Sequence, residues 1–388
     1  MPVEIARLRA TVEHLASFDR PSASEGERQA AEWIRGELQA LGVPARVEEE
    51  RAVGSMAIPL GLLSAAGVLA TLGGRRTAAL GLLTAAAIVD DVSGGPHVFR
   101  RLLPHRPTWN VTGEAGDPDA EETLVFVAHH DAANGGLIFR PELTRLVADA
   151  FPRWYARQRT SPQMMRLVAG GPALAALGAL AGLRPLRQAG LTLAAGSALA
   201  FFDIGTRTVV PGANDNLTAV AVLLELARLL REQPVRGVRV LLVSTGSEES
   251  FMEGMRGWVR RHAPSLDPAR TRVVVLETLG SPELILLEGE GMIWMNDYDA
   301  EVRDFIAESA QRAGAPVRRG LRLGFATDAL PALLAGLRTA TLASCDEYKL
   351  PANYHSQRDV PHNVDFETVA AATRVAAAAI RTAASAPA

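Results

Sequence analysis

The sequence predicts an α/β fold, a mostly parallel or mixed sheet covered by helices on both faces, from three observations. Beyond Pro211, apolar runs of strand length alternate with runs that are apolar at helix-face spacing, as in a sheet whose strands are linked by covering helices. The runs 124–127, 238–243 and 273–276 are largely apolar, without the alternation of a half-exposed strand, as expected of strands buried on both faces. Polar, metal-competent residues recur just past these runs: His129-His130-Asp131, Ser247-Glu248-Glu249 and Glu277. The edge beyond the carboxyl ends of the strands is where open α/β sheets place their sites.

In order along the chain, residues 3–18 suggest an amphipathic helix with Ile5, Leu8, Val12 and Leu15 on one side. Ser24 can cap a second helix from about 25 to 41, ended by Gly42. Residues 45–49 read as a short strand. Strands at 108–112 and 123–127 are separated by a polar turn, and an amphipathic, arginine-rich stretch covers 143–159. The expected order is then helix 216–231, strand 237–244, helix 253–262 and strands 272–277 and 283–288. Helix 299–313, a short helix near 329–335, strand 338–343 and a helix over 364–383 complete it.

Two stretches depart from this pattern. Residues 56–72 carry no charge, Gly73-Gly74-Arg75-Arg76 interrupts, and 77–89 is again uncharged. The arrangement returns at 167–183, Arg184-Pro185-Leu186-Arg187 and 188–202. We therefore expect one catalytic domain built from residues 1–54, 91–163 and 205–388. Two apolar helical hairpins, 55–90 and 164–204, interrupt it. Spanning helices need roughly 17–25 apolar residues; three of the four segments approach that length, and 77–89 is short. Helices apolar all round are buried in something, either membrane lipid or a helical bundle packed on itself or in a homodimer. The tips carry Arg75, Arg76, Arg184 and Arg187, but the catalytic-side flanks carry more arginines, including Arg100, Arg101, Arg106, Arg153 and Arg157. The region before Met56 has no apolar core of an export signal. The expectation is a membrane-associated protein whose catalytic domain faces the cytoplasm.

Composition narrows the chemistry. The 388 residues have a net charge of −3, with no basic bias toward nucleic acid. Cys345 is the one cysteine, which excludes an intrachain disulfide and a thiolate metal cluster. Hydrophobic residues make up 48% and mean hydropathy is +0.09, high for a soluble enzyme. Any metal must be held by imidazole and carboxylate.

Pro211-Gly-Ala-Asn-Asp215-Asn216 opens a helical pattern, so Asp215 alone could be an N-cap. It does not stand alone. Two zinc ions about 3.5–4 Å apart need a bridging carboxylate, a His and a carboxylate each, and a general base that is not a ligand. Asp215 can bridge, His129 with Glu277 can hold one ion, and Glu249 with His355 the other. Glu248 is then free as the base; a metal on its neighbour removes the conflict of two adjacent carboxylates. Asp131 lies two residues after His129, on the same face of an extended segment, where it can orient the imidazole.

The ordered set His129-x-Asp131, Pro211 to Asn216, Glu248-Glu249, Glu277 and Tyr354-His355 resembles the co-catalytic zinc aminopeptidases of metallopeptidase family 28, which also includes glutaminyl cyclases and carboxypeptidases. The resemblance covers roughly residues 25–50, 107–136 and 208–375. It implies a zinc-exopeptidase-like fold and an aminopeptidase acting on peptides with a metal-activated water. It implies zinc on His129, Asp215 and Glu277 and on Asp215, Glu249 and His355, with Glu248 as base. It places Tyr354 as hydrogen-bond donor to the oxyanion and implies a cis peptide at Asp215–Asn216. Two departures stand out. The family usually has aspartate where this chain has Glu277, so two zinc ions are expected and one is the alternative. The second hairpin fills what is usually a short loop between Asp131 and Asp215. Alternative functions are a single-zinc glutaminyl cyclase or amidohydrolase on the same scaffold, and a non-catalytic membrane-anchored binding protein. The presence of Glu248 and all five ligand candidates favours the hydrolase.

The remaining polar residues have plainer readings. His14 suits the surface, and His130 should face away from the site. His97, His105, His262 and His362 suit solvated loops. Asp328 could line the pocket or cap the next helix, Cys345 could be a small buried side chain or a reactive thiol, and Trp294 and Tyr298 suit core packing.

Overall fold

A computed structural model describes residues 3–385. The amino-terminal part contains α1 (Ile5–Leu15), α2 (Glu25–Ala40), β1 (Ala45–Ala52), α3 (Ala57–Leu72), α4 (Ala78–Val92), β2 (Arg106–Gly116) and β3 (Thr123–His129). Then come α5 (Glu142–Ala150), α6 (Pro152–Arg157), α7 (Met165–Ala181) and α8 (Arg184–Thr206). The remainder alternates: α9 (Thr218–Glu232), β4 (Arg239–Thr245), α10 (Glu253–His262), β5 (Thr271–Glu277), β6 (Glu283–Glu290) and β7 (Asn296–Asp297). It closes with α11 (Ala300–Arg312), β8 (Arg318–Leu323), α12 (Ala329–Leu334), β9 (Arg338–Cys345) and α13 (Phe366–Ala384).

The strands form one sheet in the order β1-β2-β4-β3-β5-β9-β6-β7, with β8 beside β6. Its middle, β4-β3-β5-β9, is parallel; β1-β2, β2-β4, β9-β6 and β6-β7 are antiparallel. This is the mixed α/β sheet expected. Alternate side chains go to opposite faces. On β3, Leu124, Phe126 and Ala128 join a core under α1, α2, α9 and α13. Val125 and Val127 join the opposite core with Trp258 of α10, Leu330 of α12 and Leu60 and Phe201 from the bases of the hairpins.

Three differences from the expected elements have physical causes. The first strand extends to Ala52 because it pairs along its whole length with β2, from Ala45 opposite Gly113 to Ala52 opposite Arg106. The strand β8, Arg-Arg-Gly-Leu-Arg-Leu, is not among the expected elements, and its charges are matched by neighbours. Arg318 pairs with Glu283 (2.8 Å), Arg319 with Asp304 (2.7 Å) and Arg322 with Asp297 (2.8 Å). The helix expected from 216 begins at Thr218, because Asp215 (φ −112°, ψ 85°) and Asn216 (φ −134°, ψ 32°) are non-helical and joined by a cis peptide.

The hairpin helices α3, α4, α7 and α8 pack on one another as a four-helix bundle. Small residues line its seams. A Cβ added at Gly190 would lie 2.2 Å from the backbone nitrogen of Ala175, and one at Gly178 would lie 2.4 Å from that of Arg187. Only glycine allows α7 and α8 this close. The large side chains face out: Leu69 is 65% exposed, Leu83 68% and Leu199 70%. One helix among the described residues, Arg184–Thr206, is long and apolar enough to cross a membrane, and 22% of its apolar window is buried; α3 and α7 are shorter. At the tips, Arg75 donates to the Leu180 carbonyl (2.6 Å) and Arg187 to that of Thr71 (2.7 Å), so arginines satisfy helix-terminal carbonyls across the hairpins.

Candidate metal centre

The parallel strands all end on one edge of the sheet, and the candidate residues follow from that. His129 ends β3, Glu277 ends β5, Glu248 and Glu249 follow β4, and His355 lies on the loop after β9. Asp215 enters from the turn before α9, where it makes no helix-capping bond. Asn216 bolts that turn to the end of β5, donating to the Leu276 carbonyl (2.9 Å) and accepting from the Thr278 amide (3.0 Å). Ser247 (φ 51°) and His355 (φ 47°) hold left-handed backbone, a conformation that non-glycine residues keep mainly at functional sites.

Asp215 stands between the two imidazoles. Its Oδ1 is 3.3 Å from Nε2 of His129, and its Oδ2 is 3.3 Å from Nε2 of His355. Glu277 Oε1 is 3.8 Å from the same His129 nitrogen, and Glu249 Oε2 is 3.1 Å from that of His355. Two metal-competent trios share Asp215: His129, Asp215 and Glu277, and Asp215, Glu249 and His355. Glu248 reaches His129 Nε2 at 3.9 Å and converges with His129 and Glu249 in a third grouping, outside the two that share Asp215.

Asp131 organises the edge behind these groups. Its carboxylate accepts from Ser22 Oγ (2.6 Å) and from the amides of Glu248 (3.0 Å) and Glu249 (3.1 Å), and its Oδ1 lies 3.4 Å from His129 Nδ1. One carboxylate thus orients the imidazole and pins the Glu-Glu turn. Tyr354 stacks on His355 with ring centroids 3.9 Å apart. Burial and the surrounding carboxylates push its phenol well above the ordinary value, so it remains protonated and able to donate.

The electrostatics are lopsided. Burial and then the neighbouring acids hold Glu248 well above the usual carboxylate range, against the pull of His129. Burial likewise raises Glu249, and lifts Glu277 and Asp328 to about 7 each. Asp215 goes the other way: burial opposes ionisation, but His129 and His355 together hold it well below its ordinary value. Burial alone would lower His355, yet Glu249 and Asp215 raise it to about 10. The carboxyl groups outnumber the two imidazoles, and this negative excess is what a pair of divalent cations would neutralise. The donor atoms fit that group. Asp215 Oδ2, Glu249 Oε1 and both ring nitrogens of His355 are buried without a hydrogen-bond partner, and His355 Nε2 lies 3.3 Å from Asp215 Oδ2 and 3.1 Å from Glu249 Oε2.

Other residues fall on both sides of expectation. His130 is buried on Ser244 Oγ (2.9 Å), away from the centre. His14 is exposed and stacks on Trp33, and His362 is exposed. His97 is not solvated: it is buried, and burial with Arg256 and Arg100 nearby lowers it to about 2. His262 belongs to α10 and meets Glu48 at 2.8 Å. Trp294 is 64% exposed rather than packed in the core, whereas Tyr298 and Cys345 are buried. Asp328 makes no cap bond; it accepts from Thr245 Oγ1 and lies buried within the field of His129 and Glu248.

Sequence reasoning did not find the supports contributed by distant segments. Asp359 accepts from the amides of Asn214 (2.7 Å) and Asp215 (3.0 Å). Arg20, fully buried, donates to the carbonyls of His130 (3.0 Å) and Pro211 (2.9 Å), tying the His129 and Asp215 segments together. Glu27 accepts from the Ala23 amide and Thr108 Oγ1 (both 2.6 Å), holding the loop that presents Ser22 to Asp131. Arg20 and Asp359 are hard to find locally because the groups they tie together, the carbonyls of His130 and Pro211 and the amides of Asn214 and Asp215, lie far away in the chain.

Residues 200–380 match the model of peptidase family M28. No curated relative matches by sequence. Among solved structures, the chain is similar to an aminopeptidase from Aneurinibacillus sp. strain AM-1, with a TM-score of 0.57 and 12% identity over 98% of this chain and 94% of that one. It is similar to a glutaminyl cyclase from Tannerella forsythia, with a TM-score of 0.58 and 14% identity over 98% and 99% of the two chains. A Zn-dependent exopeptidase from Parabacteroides distasonis ATCC 8503 gives 0.56 and 13% over 98% of each. At these identities the structural likeness speaks to the fold alone. With the family match it bears out the resemblance to metallopeptidase family 28 and supports a hydrolase.

Proposed function

We propose that this chain is a zinc-dependent aminopeptidase that removes N-terminal residues from peptides. The observation that carries the reading is the division of Asp215 between His129 and His355, with one further carboxylate beside each imidazole. His129, Asp215 and Glu277 would hold one zinc, and Asp215, Glu249 and His355 the other. Zinc supplies Lewis-acid polarisation of the scissile carbonyl and of water. Glu248 takes the proton of the attacking water and returns it to the leaving amine, in keeping with its raised affinity for a proton. Asp131 acts as a positioning residue through His129 and the Glu248 amide. Tyr354 donates to the developing oxyanion. The surplus of carboxylates also suits a substrate bearing a free, positively charged amino terminus.

The reading includes a membrane seat, supported by the outward leucines and glycine seams of the bundle. The hairpins insert into lipid and the catalytic domain stands on the cytoplasmic side. A panel of aminoacyl nitroanilides and N-terminal glutaminyl peptides, assayed alongside metal content, tests the activity. Hydrolysis with two zinc ions per chain is expected. One zinc with cyclisation of glutaminyl peptides, and no hydrolysis, would replace this reading with the cyclase.

A further inference from the structure

We propose that α5, α6 and the turn at Leu137-Ile138 form a foot lying in the anionic headgroup layer, and that the substrates are polypeptides held at that surface, whose free amino termini reach the centre from the membrane plane. The inference rests on the membrane seat and peptidase activity proposed above and specifies where the substrate comes from.

The foot is fixed to the catalytic loop. Tyr155 donates to the Tyr348 carbonyl (2.5 Å), and Lys349 donates to the carbonyls of Tyr155 (2.7 Å) and Gln158 (2.9 Å), fastening the end of α6 to the loop that continues to His355. This segment leaves its large apolar side chains in the open. Leu146 is 66% exposed, Phe151 63% and Trp154 55%, and Leu137 and Ile138 are also exposed. Arg140, Arg153 and Arg157 are exposed among them. Aromatic rings interleaved with arginines match the chemistry of the headgroup layer: rings sit at the boundary of the acyl chains, while guanidinium groups meet lipid phosphates. The turn at Leu137-Ile138 is joined to the end of α8, where the Leu137 amide donates to Asp203 (2.7 Å), the neighbour in sequence of the exposed Phe202.

The centre opens beside this foot. Phe139, between Ile138 and Arg140, packs on the His355 ring at 4.3 Å. Glu249 shares a cavity with Met56 and Ala57, where α3 begins, and with Ile204, where α8 ends. That side of the centre is therefore walled partly by the bases of the hairpins. If the hairpins are in lipid, this side of the centre lies at the membrane surface. A substrate tethered in that surface gains effective concentration there, whereas a freely dissolved peptide does not.

The test uses the zinc-loaded full chain in phosphatidylcholine vesicles with or without phosphatidylglycerol. One peptide is presented twice, free and carrying a C-terminal acyl chain that anchors it in the vesicle. We expect the anchored form to be favoured in kcat/KM by about a hundredfold, the low end of tethering gains, and more so with phosphatidylglycerol. Brominated lipid should quench a tryptophan signal that disappears in Trp154→Phe. Phe151→Ser with Arg153→Ser should bring the anchored-to-free ratio down toward one. A vesicle-bound enzyme with a ratio near one overturns the substrate assignment and leaves the membrane seat standing. An unquenched Trp154 in bound protein overturns the foot. A protein that does not associate with vesicles overturns the seat itself, and failure to cleave either peptide overturns the peptidase reading and the substrate assignment with it.

Discussion

The catalytic domain and the hairpin bundle distribute their apolar side chains in opposite ways. Around the sheet, Leu, Val and Ile point inward and are buried, as with Leu124, Leu242 and Val274. In the bundle, Gly and Ala occupy the seams while Leu69, Leu83 and Leu199 point outward. The first arrangement draws its stability from removing apolar surface from water. The second leaves that surface exposed and holds its helices together by close backbone approach, an economy suited to lipid, where a leucine gains little by turning inward. The boundary between the two falls at the candidate metal centre, where Met56, Ala57 and Ile204 approach Glu249.

The contrast breaks most visibly on truncation of leucines. Leu242→Ala, within the sheet, should cost about 2–5 kcal/mol. Leu69→Ala or Leu83→Ala, on the outer face of the bundle, should stay within about 0.5 kcal/mol. Denaturant titrations of the three variants in mild detergent check this; equal losses would mean the bundle buries its leucines after all. Enlarging a seam residue is the converse. Gly190→Leu has no room against the Ala175 backbone and should cost about 1–3 kcal/mol through overpacking, seen as a lowered Tm.

A smaller effect marks the catalytic side alone. Burial pushes Glu290 up to about 8 although Tyr298 and Thr327 donate to it. The folded protein therefore binds this proton more tightly than the unfolded chain, whose glutamates have the ordinary value. Stability from this group is fully present below about pH 4.5 and is lost as pH rises toward 8. Glu290→Gln, which resembles the neutral acid, should flatten that decline between pH 5 and 8. An unchanged slope would show that Glu290 is ionised in the folded state.

Much of this was legible in the sequence because it is local. Strand runs followed at once by His129, Glu248 or Glu277 indicate both the element and the sheet edge on which it ends. The hairpins were visible as uncharged runs with arginine tips. What could not be read depends on partners known only after folding. Arg20, Glu27 and Asp359 look like ordinary surface charges, yet each is buried and satisfies a backbone or hydroxyl group of a distant segment: the His130 carbonyl, the Thr108 hydroxyl and the Asn214 amide. His97 sits in a loop rich in arginine and proline and gave no sign of burial. The strand β8 was hidden by arginines whose acidic partners lie on three other elements.

The most direct test of the centre is to measure zinc content and turnover together in Glu248→Gln. Two zinc ions per chain are expected, as in the parent protein, with peptide turnover lowered by roughly 10²–10⁴, the usual scale for a lost general base. Loss of a stoichiometric zinc from that variant would make Glu248 a ligand and contradict the division of roles between it and Glu249.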